Sequence, residues 1–435
     1  MIAAERLATL ATRGPRYTSY PPATQLREDL PESAIIAELL RKEPASLYVH
    51  VPFCRQLCWY CGCNVVPTRD ASRGDRYADV LATELAMHAG RQISEVALGG
   101  GSPNFLSPDA LRAIVTFVER YFDVVPGARR SVELDPRETT PQHLVTLAAC
   151  GFRSLSVGVQ DFSRPVQDAI NRHQSRTQTA WLIDHARELG FDDINVDIVY
   201  GLPRQTEASF ATTLDHVIAL APERIALFGY AHLPQRFRHQ HNVERAGRVL
   251  DAYERATLLL AAIEQLTAAG YIHIGLDHFA KPGSALARAA AEKRMTRTFQ
   301  GYVPYASASV IGVGPSAISS TPRMIWQNQT ALDAWEKSIL SARLPLARGV
   351  QLDRDDQIRA TVINRLMCDF EIDFTSIGID ATTYFARELE DLPAELATFA
   401  GNTLRTTETG RLLVRNLCMR FDRYLDATDR FSSTI

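Results

Sequence analysis

From Ser46 onward the chain alternates short apolar, β-rich runs with helical segments, and this restricts the fold more than any other feature. Leu47–Val51, Glu95–Leu98, Arg130–Leu134, Ser154–Gly158, Asp193–Val199 and Arg224–Gly229 read as strands. Arg76–Ala89 and Pro108–Arg120 read as helices between them, the second opened by Ser107 as an N-cap. Strands separated by helices of this length pair in parallel. Six such units in about 200 residues predict a partial or full β/α barrel, whose chemistry gathers at the C-terminal ends of the strands. Distinctive residues fall at those ends. Cys54 follows the first strand, Gly99 the second and Gln160 the fourth; Glu133 ends the third, Asp197 lies in the fifth and Tyr230 ends the sixth.

Cys54, Cys58 and Cys61 form C-x3-C-x2-C directly after the first apolar run. Three thiolates can hold three irons of a cubane [4Fe–4S] cluster and leave the fourth open to a small molecule. That count favours an enzyme over a purely structural metal site. Two other readings compete. Zinc would need a fourth ligand such as Cys63, but a Cys-Gly-Cys end differs from two separated Cys-x2-Cys pairs. A disulfide framework fits poorly, because four of the seven cysteines lie within ten positions of a 435-residue chain. Cys150, Cys368 and Cys418 are scattered and read as buried thiols.

The cluster motif, with Tyr60 just before its third cysteine, resembles the signature of the radical S-adenosylmethionine superfamily. Arg16-Tyr17-Thr18-Ser19-Tyr20-Pro21 and Cys61-Gly62-Cys63-Asn64 narrow the resemblance to the oxygen-independent coproporphyrinogen III oxidases. The likeness runs nearly end to end, through Gly99-Gly100-Gly101, Glu133–Arg137, Gly158–Asp161, Asn195–Asp197, Tyr200–Pro203, Tyr230–Pro234, Asp277–Ala280 and Arg411–Asp422. It implies a three-quarter barrel of six units. It also implies a cluster held by Cys54, Cys58 and Cys61, with Cys63 outside the ligand set, and two molecules of S-adenosylmethionine.

Site residues follow from the same resemblance. Gly100, Gly101 and Ser102 offer backbone N–H groups in a loop that receives the methionine amino group of the first S-adenosylmethionine, with Glu133, Tyr48 and Ile318 nearby. Gln160, Arg172, Asp197 and Tyr60 attend the second, Arg172 facing a carboxylate in fork geometry, and Ala231 also belongs to the cofactor site. Acids at strand ends can accept ribose hydroxyls. Helix capping, surface pairing or plain core packing are the structural alternatives for each of these residues. His50 reads as a hydrogen-bonded histidine rather than a ligand.

The implied reaction removes a β-hydrogen from a propionate through a 5′-deoxyadenosyl radical, loses carbon dioxide and leaves a vinyl group. Two conversions take coproporphyrinogen III to protoporphyrinogen IX. An external electron donor is required. A tetra-anionic substrate calls for a basic lining, for which Arg16, Arg27, Arg172 and Lys281 are candidates. Two departures bear on substrate identity, Val303-Pro304 and Ser309 in place of an acid, beside a mild one at Ser102-Pro103-Asn104. They keep open a relative acting on another tetrapyrrole, including a haem-opening methyltransferase, and a haem chaperone.

Residues 1–35 read as an irregular arm with a short helix at each end, 36–345 as the barrel with its extensions, and 346–435 as a small, mainly helical unit. Thr406–Arg415 reads as a hairpin or wing around Gly410. A formal charge of −3 argues against nucleic acid as a partner. No run approaches the roughly 18 apolar residues of a membrane span, and free thiols fit the reducing cytoplasm. A monomer is the expectation from the resemblance.

Overall fold

The computed structural model describes residues 2–298, 300–304, 307–425 and 431–435. Its centre is a parallel arc of six strands in sequence order: β1 (Ala45–Val51), β2 (Gln92–Gly100), β3 (Asp123–Leu134), β4 (Ser154–Gln160), β5 (Asp193–Tyr200) and β6 (Arg224–Gly229). The expected strands are all present. β3 starts seven residues earlier than its apolar pattern indicated, because Asp123–Arg129 is interrupted by Pro126 and Gly127 and only partly buried. The helix expected at Arg76 runs from Ser72 to Met87. Ser107 caps Pro108–Tyr121 by accepting the Ala110 N–H at 3.1 Å.

The arc does not close. β1 pairs on its free side with Val310–Val313, also in parallel, and β6 pairs with the antiparallel strand His278–Ala280. Ile318–Ser320, Met324–Asn328 and Leu346–Gln351 extend the first edge and Ile272–Gly275 the second, giving a 12-stranded sheet among the described residues. These additions were not foreseen. Val310–Val313 is four residues long and bounded by Ser309 and Gly314, too short for periodicity to identify.

The face of the arc turned to the helices is Leu47, Val49, Val51, Leu98, Val157, Val196 and Ile225, fully or almost fully buried. The opposite, lumen face is polar, and at the N-terminal ends of the strands it forms a charged floor. Arg129 donates to Glu95 at 2.5 Å and to Asp193 at 3.0 Å, while Arg224 donates to Asp193 at 2.6 Å. A second apolar core joins Tyr17 and Tyr20 of the arm to Phe370, Phe374, Phe385 and Phe421.

The expected wing is corrected. The hairpin is Ala397–Ala400 with Thr403–Thr406, turning at Gly401 and Asn402, both in left-handed conformation. It forms a three-stranded sheet with Glu371–Asp373. Gly410 lies inside the helix Glu408–Leu412, where a Cβ would meet the Leu396 carbonyl, so its small size serves helix–hairpin packing.

Candidate active site

At the C-terminal ends of the arc lies a cavity of about 540 Å³. The cluster loop forms one wall. Phe53, buried against Tyr77 and Phe105, ends the apolar stem, and Phe53–Cys54 pairs with Val66–Pro67. Neighbouring segments tie the loop between these strands from several sides. Trp59 N–H donates to the Ile170 carbonyl at 2.9 Å, and Asn171 Nδ2 to the Leu57 carbonyl at 3.0 Å. Gln240 Nε2 donates to the Tyr60 carbonyl at 3.1 Å, and His239 Nε2 lies 2.7 Å from the Cys61 carbonyl. His50 sits between the Tyr48 hydroxyl, 3.1 Å away, and the Asn64 carbonyl, at 3.0 Å. It braces the loop rather than facing the cysteines.

All three motif cysteines line the cavity. Cys58 Sγ is 3.6 Å from Arg137 and 3.7 Å from Arg172. Cys54 Sγ is 3.8 Å from the Ser102 hydroxyl. Burial pushes the Cys54 thiol up to about 12, opposed by Ser102, so iron must displace a proton held there. Cys63 is exposed and gives its backbone N–H to Cys61 Sγ at 3.4 Å. Among the described residues no three His, Cys, Asp or Glu side chains converge on a single-ion position. A cubane spreads its thiolates over separate irons and needs no such convergence. Three thiols around one cavity, with two guanidinium groups beside them, fit an anionic [4Fe–4S] cluster.

The glycine loop faces the cysteines. A Cβ on Gly99 would meet the Glu133 carboxyl at 2.8 Å, and one on Gly101 would meet the Phe53 carbonyl at 2.5 Å. Gly100 has φ +109°, a region that side chains avoid. The expectation that this loop offers free N–H groups is corrected. Gly100 N–H donates to Glu133 at 3.2 Å, Gly101 N–H to Val51 at 2.7 Å and Ser102 N–H to Phe53 at 2.8 Å. An ammonium donates hydrogen bonds, so only the loop's carbonyl oxygens suit it.

Glu133 and Asp197 face the same cavity. Ser156 and Asn195 donate to Asp197 at 3.0 and 2.7 Å. Burial raises both acids, and nearby Asp197 adds to the effect on Glu133, which is pushed up to about 7. Folding therefore favours protonated Glu133. Its contribution is fully present below the ordinary value of 4.5 and is lost as pH rises through about 7. Glu133→Gln in the cofactor-free protein should raise Tm at pH 8 and leave little difference at pH 4.5, measured by thermal melts. An equal gap at both pH values would show that the buried charge is not the cause.

Gln160, in left-handed conformation at a bulge ending β4, lines the cavity with Tyr60, Arg172 and Ala231. Arg172 already faces a carboxylate of the protein. Its fork is filled by Asp135, at 3.1 and 3.4 Å, and it also donates to the Gly158 carbonyl at 2.5 Å. Tyr48 and Ile318 are not among the cavity-lining residues. Tyr48 is in register with Gly312, against which the Ile318 backbone packs, so these two share a flank of β1. Arg27 and Lys281 are also elsewhere. Arg27 bridges Gly349, and Lys281 Nζ binds the Ala221 carbonyl at 2.5 Å and Glu223 at 3.2 Å, before the start of β6. Both were chosen for charge alone, which carries no position.

Asp135 is the main residue that single-site reasoning missed. It takes Arg137 and Arg172 together, and these cations hold its carboxyl well below the ordinary range against the effect of burial. The departure at Asn104 belongs to the same unit. Its side chain donates to the Asp135 carbonyl at 2.9 Å and accepts the Asp135 N–H at 3.2 Å. The signal was present as Glu133-Leu134-Asp135-Pro136-Arg137, but nothing in the spacing says which acid meets which arginine.

This arc and cysteine-lined cavity define an iron–sulfur enzyme of the radical S-adenosylmethionine class, and the Radical SAM superfamily model matches residues 48–217. The chain is 40% identical over 426 residues to the oxygen-independent coproporphyrinogen III oxidases of Salmonella typhimurium and Escherichia coli (95% of this chain, 93% of each relative). It is 39% identical over 436 residues to that of Pseudomonas aeruginosa (96% and 95%). The solved coproporphyrinogen III oxidase of Escherichia coli, a radical SAM enzyme, superposes with a TM-score of 0.91 at 40% identity, covering 94% of this chain and 98% of that one. The chain belongs to the family of oxygen-independent coproporphyrinogen III oxidases.

Proposed function

We propose that this protein converts coproporphyrinogen III to protoporphyrinogen IX by oxidative decarboxylation of two propionates to vinyl groups. The observation that carries this is the single cavity joining Cys54, Cys58 and Cys61 to the glycine loop and to the buried acids Glu133 and Asp197, in a chain of this family. When bound, the cluster and S-adenosylmethionine supply a 5′-deoxyadenosyl radical, which removes a hydrogen atom beyond the reach of any side-chain base.

The protein's part is positioning and exclusion. Cys54, Cys58 and Cys61 hold the cluster, and Arg137 and Arg172 offset its negative charge from beside Cys58. Carbonyls of Gly100 and Gly101 accept from the methionine ammonium, with Ser102 between the loop and Cys54. Glu133 accepts ribose hydroxyls of the first S-adenosylmethionine, with Tyr48 and Ile318 on the adjoining flank. Asp197, Gln160, Tyr60 and Ala231 receive a second molecule. Arg172 serves there only by sharing its guanidinium between Asp135 and the incoming carboxylate. The three-part division at residues 35 and 345 belongs to this reading, although both apolar cores cross it, the first taking in Leu7, Leu396 and Leu413 and the second Tyr17, Ile274 and Tyr302. So do a monomeric state, an external electron donor and a reducing cytoplasmic setting, the last supported by seven unpaired thiols. No helix among the described residues is long and apolar enough to cross a membrane.

The test is anaerobic turnover of reconstituted protein with S-adenosylmethionine, a reductant and coproporphyrinogen III, with products read by mass spectrometry. Loss of two carboxyl groups as carbon dioxide is expected. Formation of 5′-deoxyadenosine with the porphyrinogen unchanged would move the substrate elsewhere.

A further inference from the structure

Arg16, from the N-terminal arm, stands where three cavities meet. It lines the 540 Å³ site, a 240 Å³ space in the barrel lumen beneath it, and a 40 Å³ pocket behind the arm. Arg297 lines the last two. Among the described residues around the smallest pocket, three guanidinium groups (Arg16, Arg297 and Arg415) meet one side-chain carboxylate, Asp277, and the terminal Ile435 oxygen that Arg255 binds at 2.7 Å. Asp277 is itself bonded to His278 at 2.6 Å. Arg255 adds a fourth cation beside them, over the Tyr200 ring at 5.8 Å.

Neutral carbonyls satisfy most of these donors. Arg16 reaches the Gly229 carbonyl at 2.9 Å, Arg297 Nε the Arg16 carbonyl at 3.1 Å, and Arg415 the Pro15 and Ser433 carbonyls at 2.9 and 2.8 Å. Carbonyls answer hydrogen bonds but do not neutralise charge. Arg297 Nη1 has no hydrogen-bond partner, its side chain is 3% exposed, and its closest carboxylate oxygen is 3.8 Å away. Burial and mutual repulsion hold Arg16 below the guanidinium range and bring Arg415 down to about 9. Retaining an uncompensated buried cation is costly. By contrast, Arg129 and Arg224 in the lumen are matched to Glu95 and Asp193, and Arg137 and Arg172 to Asp135.

We propose that Arg16 and Arg297 form a carboxylate subsite that seats one propionate of the tetrapyrrole and fixes which side chain faces the cluster. This rests on the substrate reading above and goes further, by naming where an anionic arm of that substrate ends. The fork of a guanidinium matches a carboxylate. The arm supplies Arg16 to the same cavity that holds the cysteines, so substrate charge completes a centre that the protein alone leaves cationic. Two contacts hold the pair in place: the Arg297–Arg16 carbonyl bond, and a Tyr302 ring 4.8 Å from the Arg297 guanidinium.

The test is binding of coproporphyrin III, the stable aromatic form of the ring, and of its tetramethyl ester, followed by fluorescence on the full chain. Wild type should prefer the acid. Arg16→Gln should cut the acid-to-ester affinity ratio about ten-fold, the scale of a charge-assisted bond, with Arg16→Lys recovering part of it. Arg297→Gln, which leaves the arm's own residues in place, should shift the ratio the same way. In turnover, KM should rise with kcat little changed. Equal weakening of acid and ester would mean the arm only shapes the cavity, and an unchanged ratio in both variants would remove the subsite; either overturns the proposal. Wild type binding neither form would instead overturn the substrate reading itself, and this inference with it.

Discussion

Cys58→Ser is expected to abolish bound iron and sulfide and reduce turnover to background, while Cys63→Ser should keep the full complement of both. Cys58 is buried in the cavity wall under two guanidinium groups, whereas Cys63 is exposed and gives its backbone N–H to Cys61 Sγ. Iron and sulfide analysis after anaerobic reconstitution, with the visible and paramagnetic resonance spectra of the cluster, separates the two. Equal loss in both variants would make Cys63 a ligand and return the loop to a four-cysteine site.

The second large effect is expected at a residue that ligates nothing. Asp135→Ala leaves Arg137 and Arg172 without a carboxylate, and Arg172 is 5% exposed. Removing one partner from a buried ion pair costs about 3–5 kcal/mol. The loss should appear as a lower denaturant midpoint in the cofactor-free protein. The sign of its pH dependence follows from the depressed carboxyl. Its contribution is present above the ordinary value of 3.8 and disappears as pH falls below it, so variant and wild type converge in acid. A gap that persists at low pH would point to packing of the Asn104–Asp135 unit instead. Reconstituted Asp135→Ala should also hold its cluster less securely, because the two arginines no longer stay fixed beside Cys58.

The arc and the cluster loop were legible in the chain for different reasons. Strands β1, β4, β5 and β6 are short apolar runs between helices, so their period and length identify them directly. C-x3-C-x2-C announces its chemistry because thiolate number and spacing limit what a metal can do. Glycine was legible as a type but not as a mechanism. The triple glycine suggested open N–H groups, and the fold spends those groups on Val51, Phe53 and Glu133. The edge strands from Val310 onward were not legible, since three- to six-residue strands carry too little pattern. The wing was misplaced because Gly410 looks like a turn residue, while its real constraint is the Leu396 carbonyl across the hairpin.

By itself, the sequence determined the order of strands and helices, the ends at which the site gathers, and the three thiolates that set the class of chemistry. These depend on near neighbours: periodicity within a segment, caps, and ligands within eight residues. Tertiary structure alone decided the pairing of charges. Arg172 met Asp135 rather than an open site, Lys281 went to Glu223 before β6, and Arg16 crossed from the arm to the Gly229 carbonyl. A charge in a sequence has sign but no position. Its partner is fixed only when strands far apart in the chain are brought side by side and water is excluded between them.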